Sequence, residues 1–328
     1  MKFIELVSKL PRISVSMMFA YGSGVVHQTG EIMSKNMIDF IVAVDDPLAW
    51  HKENLRRNSA HYSFMKVFGP SYISKFQTRY AAKLYCNTMV NVNGHLIKYS
   101  VISTADLISD LLHWETLYVS GRLHKPVYFM VPVQGSHMEK ACEVNIQNAC
   151  HAALLLLPES FSFEDFCIKV SSLSYMGDFR MIIGENKSKI HNIVKPNIDR
   201  FAEIYLPVLD QISAQVYLDR SHFSFKQDLS PVSIYHHMEL LPKQVLLHLQ
   251  AECNKDGRNR DLEEVSFVLS KDFEYMSVIR KALCYIVVRS SLSQTFKNIF
   301  SAGIVKTVSY SFRKMKKMFT GPNDSVNR

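Results

Sequence analysis

Tyr21-Gly22-Ser23-Gly24-Val25 closes a short apolar run, Val15–Ala20. A second run follows, Met37-Ile38-Asp39-Phe40-Ile41-Val42-Ala43-Val44, and ends at Asp45-Asp46-Pro47. The glycines carry no side chain, so backbone N–H groups in this turn can approach a phosphate closely, and the Ser23 hydroxyl can donate to it. The second run has the β-branched and aromatic composition of a strand, bounded by a turn signal. Asp39 sits inside it. A carboxylate in such a place is costly unless it meets a metal, a cation or hydrogen-bond donors. No Gly-Lys-Ser/Thr follows the turn, and no third glycine stands at dinucleotide-binding spacing.

Outward from this core, His95–Ile102 and Val127–Pro132 read as further strands. Trp50–Val67 and Ala105–Tyr118 read as helices, the second capped by Ser103 or Thr104. Beyond residue 135 the pattern turns helical: Met138–Leu157, Ser162–Leu173 with Ser162 as cap, and Asn197–Leu209. Short elements lie at Asp178–Ile183 and Ile190–Ile193. That succession suits a small helical or winged-helix module. Leu240–Leu249, Arg258–Leu269 and Phe273–Val288 also read as helices, and Met1–Ser16 as a short amphipathic helix with Phe3, Leu6, Val7 and Leu10 on one face.

Composition bounds the function. The 328 residues are 47% hydrophobic, with 20 Phe and 15 Tyr, which excludes disorder as the main state. Apolar runs such as Ala152–Leu157 fall far short of the roughly 20 residues a spanning helix needs. The six cysteines form no C-x-x-C pair and read as buried thiols of a reducing compartment. The net charge of +8 is concentrated at one end. From Arg289 to Arg328 eight basic residues face one acid, Asp324, so the first 288 residues are nearly neutral. A chain built to grip nucleic acid spreads its charge over the body, which argues against a nucleotidyltransferase acting on RNA ends.

A Gly-Ser turn followed some fifteen residues later by a strand aspartate resembles the polymerase-beta-like nucleotidyltransferases. In that fold the turn holds the nucleotide triphosphate and strand carboxylates hold magnesium. The usual second acid two residues away is missing here, because position 41 is Ile and 37 is Met. Asp45, six residues on, stands roughly 20 Å further along a strand, too far to share the metal.

The two opening blocks closely resemble the mitochondrial phosphatidate cytidylyltransferase family. The resemblance continues through His61-Tyr62-Ser63-Phe64, Leu96-Ile97-Lys98-Tyr99 and Gly121-Arg122-Leu123-His124-Lys125-Pro126-Val127. It extends through Leu157-Pro158-Glu159-Ser160-Phe161, Tyr175-Met176-Gly177-Asp178-Phe179-Arg180-Met181 and Asn192-Ile193-Val194-Lys195-Pro196-Asn197. These blocks cover most of residues 15–200, with weaker similarity to about 310. The resemblance implies an α+β chain: a polymerase-beta-like nucleotidyltransferase domain (1–135), a winged-helix-like domain (136–225), a helical C-terminal region (226–288) and a basic amphipathic membrane-binding tail (289–328). It implies that CTP and phosphatidate yield CDP-diacylglycerol and diphosphate, with Mg2+, upstream of cardiolipin. The place implied is the matrix face of the inner mitochondrial membrane, as a peripheral protein. The competing reading is a scaffold or assembly factor with a degenerate site.

Within this frame Asp39 is the expected magnesium ligand, and Gly22 and Ser23 the expected contacts of the CTP phosphates. Arg122 and Lys125 are candidates for the triphosphate, because guanidinium and ammonium groups neutralise phosphate oxygens. Lys98 lies inside an apolar strand and requires an anionic partner. Asp178, Arg180 and Lys195 are expected to close the pocket over CTP or to hold the lipid phosphate. In the tail, Leu292, Phe296, Ile299, Phe300, Ile304, Val308, Phe312, Met315 and Phe319 recur in steps of three and four. Lys297, Lys306, Arg313, Lys314, Lys316 and Lys317 lie between them. Residues 290–319 are therefore expected to lie as a helix on an anionic membrane surface.

Overall fold

Two apolar runs pair as antiparallel strands. Strand β1 (Val15–Tyr21) lies beside β2 (Ile38–Val44), with Tyr21 opposite Asp39. Strand β3 (Tyr85–Val92) forms a hairpin with β4 (His95–Ser103), and β5 (Tyr128–Val131) adds to the free side of β1. The sheet order is β3-β4-β2-β1-β5, with β2 and β4 parallel. The computed structural model describes residues 3–22, 25, 37–183, 189–219 and 224–303. Ser23 and the tail from 304 onward lie outside them.

Side chains alternate between the two faces of a sheet. One face carries Met18, Ala20, Phe40, Val42, Tyr99 and Val101 into a buried cluster with Trp50. This face is covered by helices α1 (Phe3–Val7), α2 (Pro47–Asn58) and α3 (Gly69–Arg79). The other face carries Met17, Phe19, Ile41, Ala43, Cys86 and Ile102 against α4 (Thr104–His113), α5 (Ser120–Leu123) and the start of α6 (Ser136–Leu154). Tyr21, Asp39 and Lys98 belong to this second face.

The helix expected over Trp50–Val67 is broken. Helix α2 ends at Asn58, Tyr62 is extended, and a one-turn 3-10 helix at Phe64–Phe68 starts afresh under a Ser63 cap. The helix expected to reach Tyr118 stops at His113. Trp114 adopts a left-handed conformation (φ 53°), and its buried indole Nε1 donates to Asn145 Oδ1 at 2.9 Å. Asp45 and Asp46 serve the far end of β2. Asp45 accepts from the Thr104 hydroxyl at 2.6 Å, and Asp46 caps α2.

The remaining helices are α7 (Phe163–Ser172), α8 (Phe179–Ile183), α9 (Lys189–Val194), α10 (Ile198–Gln211), α11 (Pro231–Glu239), α12 (Lys243–Cys253), α13 (Leu262–Ser270) and α14 (Tyr275–Ala302). A reciprocal capping box between Ser162 and Asp165 starts α7. A small sheet, β6 (Ser160–Phe161), β8 (Ser224–Gln227) and β7 (Val216–Asp219), packs on these helices. One buried cluster runs from Trp114 to Val287, so residues on both sides of position 225 share a core. Helix α14 likewise runs unbroken through position 288. All six cysteines are free.

Of the cations expected on the membrane-binding helix, Lys297 falls within the described residues, and it is turned inward. Ser290, Ser291, Gln294, Lys297 and Ser301 are buried against the sheet domain, whereas Leu292, Phe296 and Phe300 are exposed. Lys297 donates to the Gln77 and Tyr80 carbonyls at 2.7 and 2.8 Å. Among the described residues no helix is long and apolar enough to cross a membrane.

Candidate active site

Strand register assembles the centre of the site. Tyr21 pairs with Asp39, and Asp39 pairs with Lys98, so three polar side chains emerge side by side from one face. The Lys98 Nζ lies 3.7 Å from Asp39 Oδ1. That oxygen is buried and accepts no hydrogen bond. Gly22, at φ +80°, takes a conformation costly for side-chain-bearing residues. A Cβ placed there would stand 3.8 Å from Asp39 Oδ2, so the turn backbone runs alongside the carboxylate. Ser23 lies outside the described residues.

The cations arrive on a loop that a buried acid organises. Asp110 accepts from the Thr116, Leu117, Val119 and Ser120 amides and from the Thr116 and Ser120 hydroxyls. Asn145 pins the same loop by donating to the Ser120 carbonyl. The loop thereby presents Tyr118 and Arg122. The Arg122 guanidinium lies 4.0 Å from the centre of the Tyr118 ring and 5.1 Å from that of Tyr21, and its Nε is buried without a hydrogen-bond partner. One turn on, Lys125 donates to the Gly121 carbonyl and to the Ser174 hydroxyl, with its Nζ 5.0 Å from the Tyr175 ring centre.

The helical part of the chain closes the other side. Arg180 Nε donates to Asp178 Oδ1 at 2.9 Å in a two-pronged ion pair, and its guanidinium faces Tyr118 at 5.9 Å. Lys189 stacks on the Tyr175 ring at 5.1 Å. The two parts touch tightly where Gly121 meets Ser174: a Cβ on Gly121 would lie 2.2 Å from the Ser174 Cβ. We expect Gly121→Ala to cost about 2 kcal/mol or more by overpacking, read as a lower denaturation midpoint. Ser174→Gly in the same chain should restore part of that loss; an unchanged midpoint in the single variant would contradict the packing described.

Electrostatics mark the pocket as an anion site. Burial draws the Lys98 ammonium down, but Tyr21 and Asp39 outweigh it and hold the group well above the ordinary lysine value. Burial raises the Tyr118 phenol, yet Arg122, Arg180 and Lys98 together pull it below the ordinary tyrosine value. Lys125 has no such compensation. Burial, then Arg122 and Lys189, push it down to about 7. Four cations named from the sequence, Lys98, Arg122, Lys125 and Arg180, thus converge with Asp39, Asp178 and Gly22. Lys195 lies exposed in a one-turn helix at 195–197, outside this set of contacts.

Sequence reasoning passed over Tyr21, Tyr118, Ser174, Tyr175 and Lys189. Tyr21 was legible as the residue before the Gly-Ser turn. Tyr118 and Tyr175 carry no local signal, because each matters only as a ring on which distant cations rest. Among the described residues no group of three or more His, Cys, Asp or Glu gathers to hold a metal. In the site itself, Asp39 Oδ1 is buried and accepts no hydrogen bond.

A family profile described as "Phosphatidate cytidylyltransferase, mitochondrial" matches residues 3–317. Relatives bearing that same name include a Xenopus laevis protein, 43% identical over 97% of this chain and 94% of the relative. A Danio rerio protein is also 43% identical, over 97% of this chain and 94% of its own. A Homo sapiens protein is 43% identical over 92% of this chain and 67% of its own.

Proposed function

The chain belongs to the mitochondrial phosphatidate cytidylyltransferase family, and from that premise we propose that its cation-lined pocket carries a cytidylyl group from CTP to phosphatidate. An oxygen of the lipid phosphate attacks the α-phosphorus of CTP, the bond to the β-phosphate oxygen breaks, and diphosphate leaves. The observation that carries this reading is a run of buried cations beside one carboxylate: Lys98 lies 3.7 Å from Asp39 Oδ1, which accepts no hydrogen bond, and Arg122 and Arg180 face the Tyr118 ring next to them. Two phosphate-bearing substrates repel each other, and a pocket with more cations than acids lowers that repulsion.

We read residues 1–135 as a polymerase-beta-like nucleotidyltransferase domain and the helices with the β6-β8-β7 sheet as winged-helix-like. Magnesium suits the donor set: a hard cation that takes one protein carboxylate and completes its shell with phosphate oxygens and water. Asp39 would hold it, and the ion would add positive charge at the phosphates. The protein's own groups do the rest. Gly22 lets the backbone approach the nucleotide. Arg122 and Lys125 neutralise and orient the triphosphate. Lys98 steadies the incoming lipid phosphate, and the Asp178-braced Arg180 closes the far wall. The lipid substrate and the basic tail support a peripheral place on the matrix face of the inner mitochondrial membrane, in the supply of cardiolipin precursor.

Lys125 supplies a test of the nucleotide half. Its free value is about 7, below the unfolded lysine value, because burial and then the neighbouring Arg122 and Lys189 disfavour the charge. A bound triphosphate raises that value, so binding above pH 7 takes up a proton, and affinity weakens as pH rises through 7 toward the bound value. Calorimetry of CTP binding at pH 8, in buffers of different ionisation heat, should show uptake approaching one proton. Lys125→Met should abolish it. Binding with no proton uptake would remove Lys125 from the triphosphate site.

A further inference from the structure

From Asn54 to Ala105 the chain has no acidic residue but seven cations: Arg56, Arg57, Lys66, Lys75, Arg79, Lys83 and Lys98. The middle of this stretch also exposes large apolar side chains. Phe64, Val67, Phe68, Tyr72 and Tyr80 are all exposed, Val67 to 82%. Along α3 and the residues that flank it, rings spaced four residues apart form a ladder: Phe68 to Tyr72 at 4.9 Å, Tyr72 to Phe76 at 6.4 Å, Phe76 to Tyr80 at 5.8 Å. Lys66, Lys75 and Arg79 stand exposed along it.

Helix α14 doubles this surface. Lys297 ties it to α3 through the Gln77 and Tyr80 carbonyls, with its ammonium 5.2 Å from the Phe76 ring centre, and the Ser63 hydroxyl donates to the Phe300 carbonyl at 2.8 Å. The outward side of the helix then adds Leu292, Phe296 and Phe300 beside the ladder. The same helix backs the active site. Gly177, next to the Asp178–Arg180 pair, is so close to α14 that a Cβ there would lie 2.9 Å from Val288 Cγ2. From Val288 to Phe300 the helix rises about 18 Å at 1.5 Å per residue.

We propose that this surface, Phe64–Tyr80 with the outer face of α14 from Leu292 to Phe300, is where the folded body seats on an anionic lipid bilayer. Exposed aromatic rings interleaved with cations match an interface that is apolar below and negatively charged above. The chain beyond Gly303 does not suit as the cover. It brings Lys306, Arg313, Lys314, Lys316 and Lys317, like charges for a surface that has cations of its own. A negatively charged bilayer complements both. The inference deepens the lipid-substrate reading: a bilayer on this surface lies within about 20 Å of the pocket wall, so the headgroup can reach the site while the acyl chains stay in lipid.

The test uses the full chain, without CTP, on vesicles of phosphatidylcholine alone or with phosphatidylglycerol, an anionic lipid that is not the substrate. Wild-type protein should float with the anionic vesicles and release them with salt. Val67→Asp with Phe68→Asp, both exposed so that the core is untouched, should lower partitioning about tenfold or more. Lys75→Glu with Arg79→Glu should lower it comparably on anionic vesicles only. CTP binding should be unchanged in both. Wild-type partitioning by the two double variants would overturn the proposal. So would a loss of self-association, or of single-stranded RNA binding, in variants that still bind vesicles normally. Because the readout is flotation, a protein that floats through this surface yet turns nothing over would count against the catalytic reading alone.

Discussion

An Asp39→Asn protein should fold, bind vesicles as before, and lose cytidylyl transfer by about a thousandfold or more. Asparagine keeps the shape of the side chain in β2 and removes only its charge. The native Oδ1 is buried, accepts no hydrogen bond, and lies 3.7 Å from Lys98 Nζ. It is therefore free to serve a cation in the loaded enzyme. Among the described residues of the pocket, the other acid, Asp178, is held on both oxygens by Arg180. Among the described residues no second carboxylate stands ready to replace Asp39, so its loss is not shared out. Melting temperature and transfer rate, measured on the same preparation, check this. Near-normal turnover in a folded Asp39→Asn protein would remove Asp39 from the chemistry.

Lys98 should come second, with Lys98→Met losing about a hundredfold on phosphatidate. Polymerase-like sites that act on a sugar hydroxyl use a carboxylate on a later strand to help remove its proton. On the polymerase-like reading proposed above that strand is β4, which places an ammonium beside Asp39. A phosphomonoester, with a second pKa of about 6, is already largely ionised at pH 7 and needs no base. It needs its charge held close to an equally charged triphosphate. Wild-type protein should accordingly reject diacylglycerol and RNA hydroxyls as acceptors, and Lys98→Asp should be at least as impaired on phosphatidate as Lys98→Met. Efficient transfer to a hydroxyl acceptor would show that the lysine plays another part.

The strands that carry the site were legible because their neighbours are apolar in long runs. Val15–Ala20, Met37–Val44 and His95–Ile102 became β1, β2 and β4 with ends shifted by a residue or so. The polar exceptions in those runs, Asp39 and Lys98, were conspicuous for the same reason. Helix α3 and strand β3 were not legible. Gly69-Pro70 opens a helix whose buried face holds a glutamine, Gln77, and whose exposed face is aromatic, so hydrophobic period pointed the wrong way. At the end of α14 the apolar positions Leu292, Phe296 and Phe300 do face outward, but Lys297, counted among the membrane-facing cations, is buried. An amphipathic pattern tells that a helix has two faces, not which one the protein covers, and here serines, Gln294 and Lys297 face inward. Arg122, Lys125 and Arg180 could be named from local context, but their convergence on Tyr118 and Tyr175 depends on the Asp110-organised loop and on the packing of Gly121 against Ser174.

The most direct measurement follows label from CTP into lipid. Purified full-length protein is incubated with magnesium, CTP labelled in the cytosine ring, and vesicles containing phosphatidate. The account predicts a labelled, chloroform-soluble product that appears in step with diphosphate and is absent with Asp39→Asn. Diphosphate or CMP release without label in the lipid phase, or label carried to an RNA end instead, would contradict it.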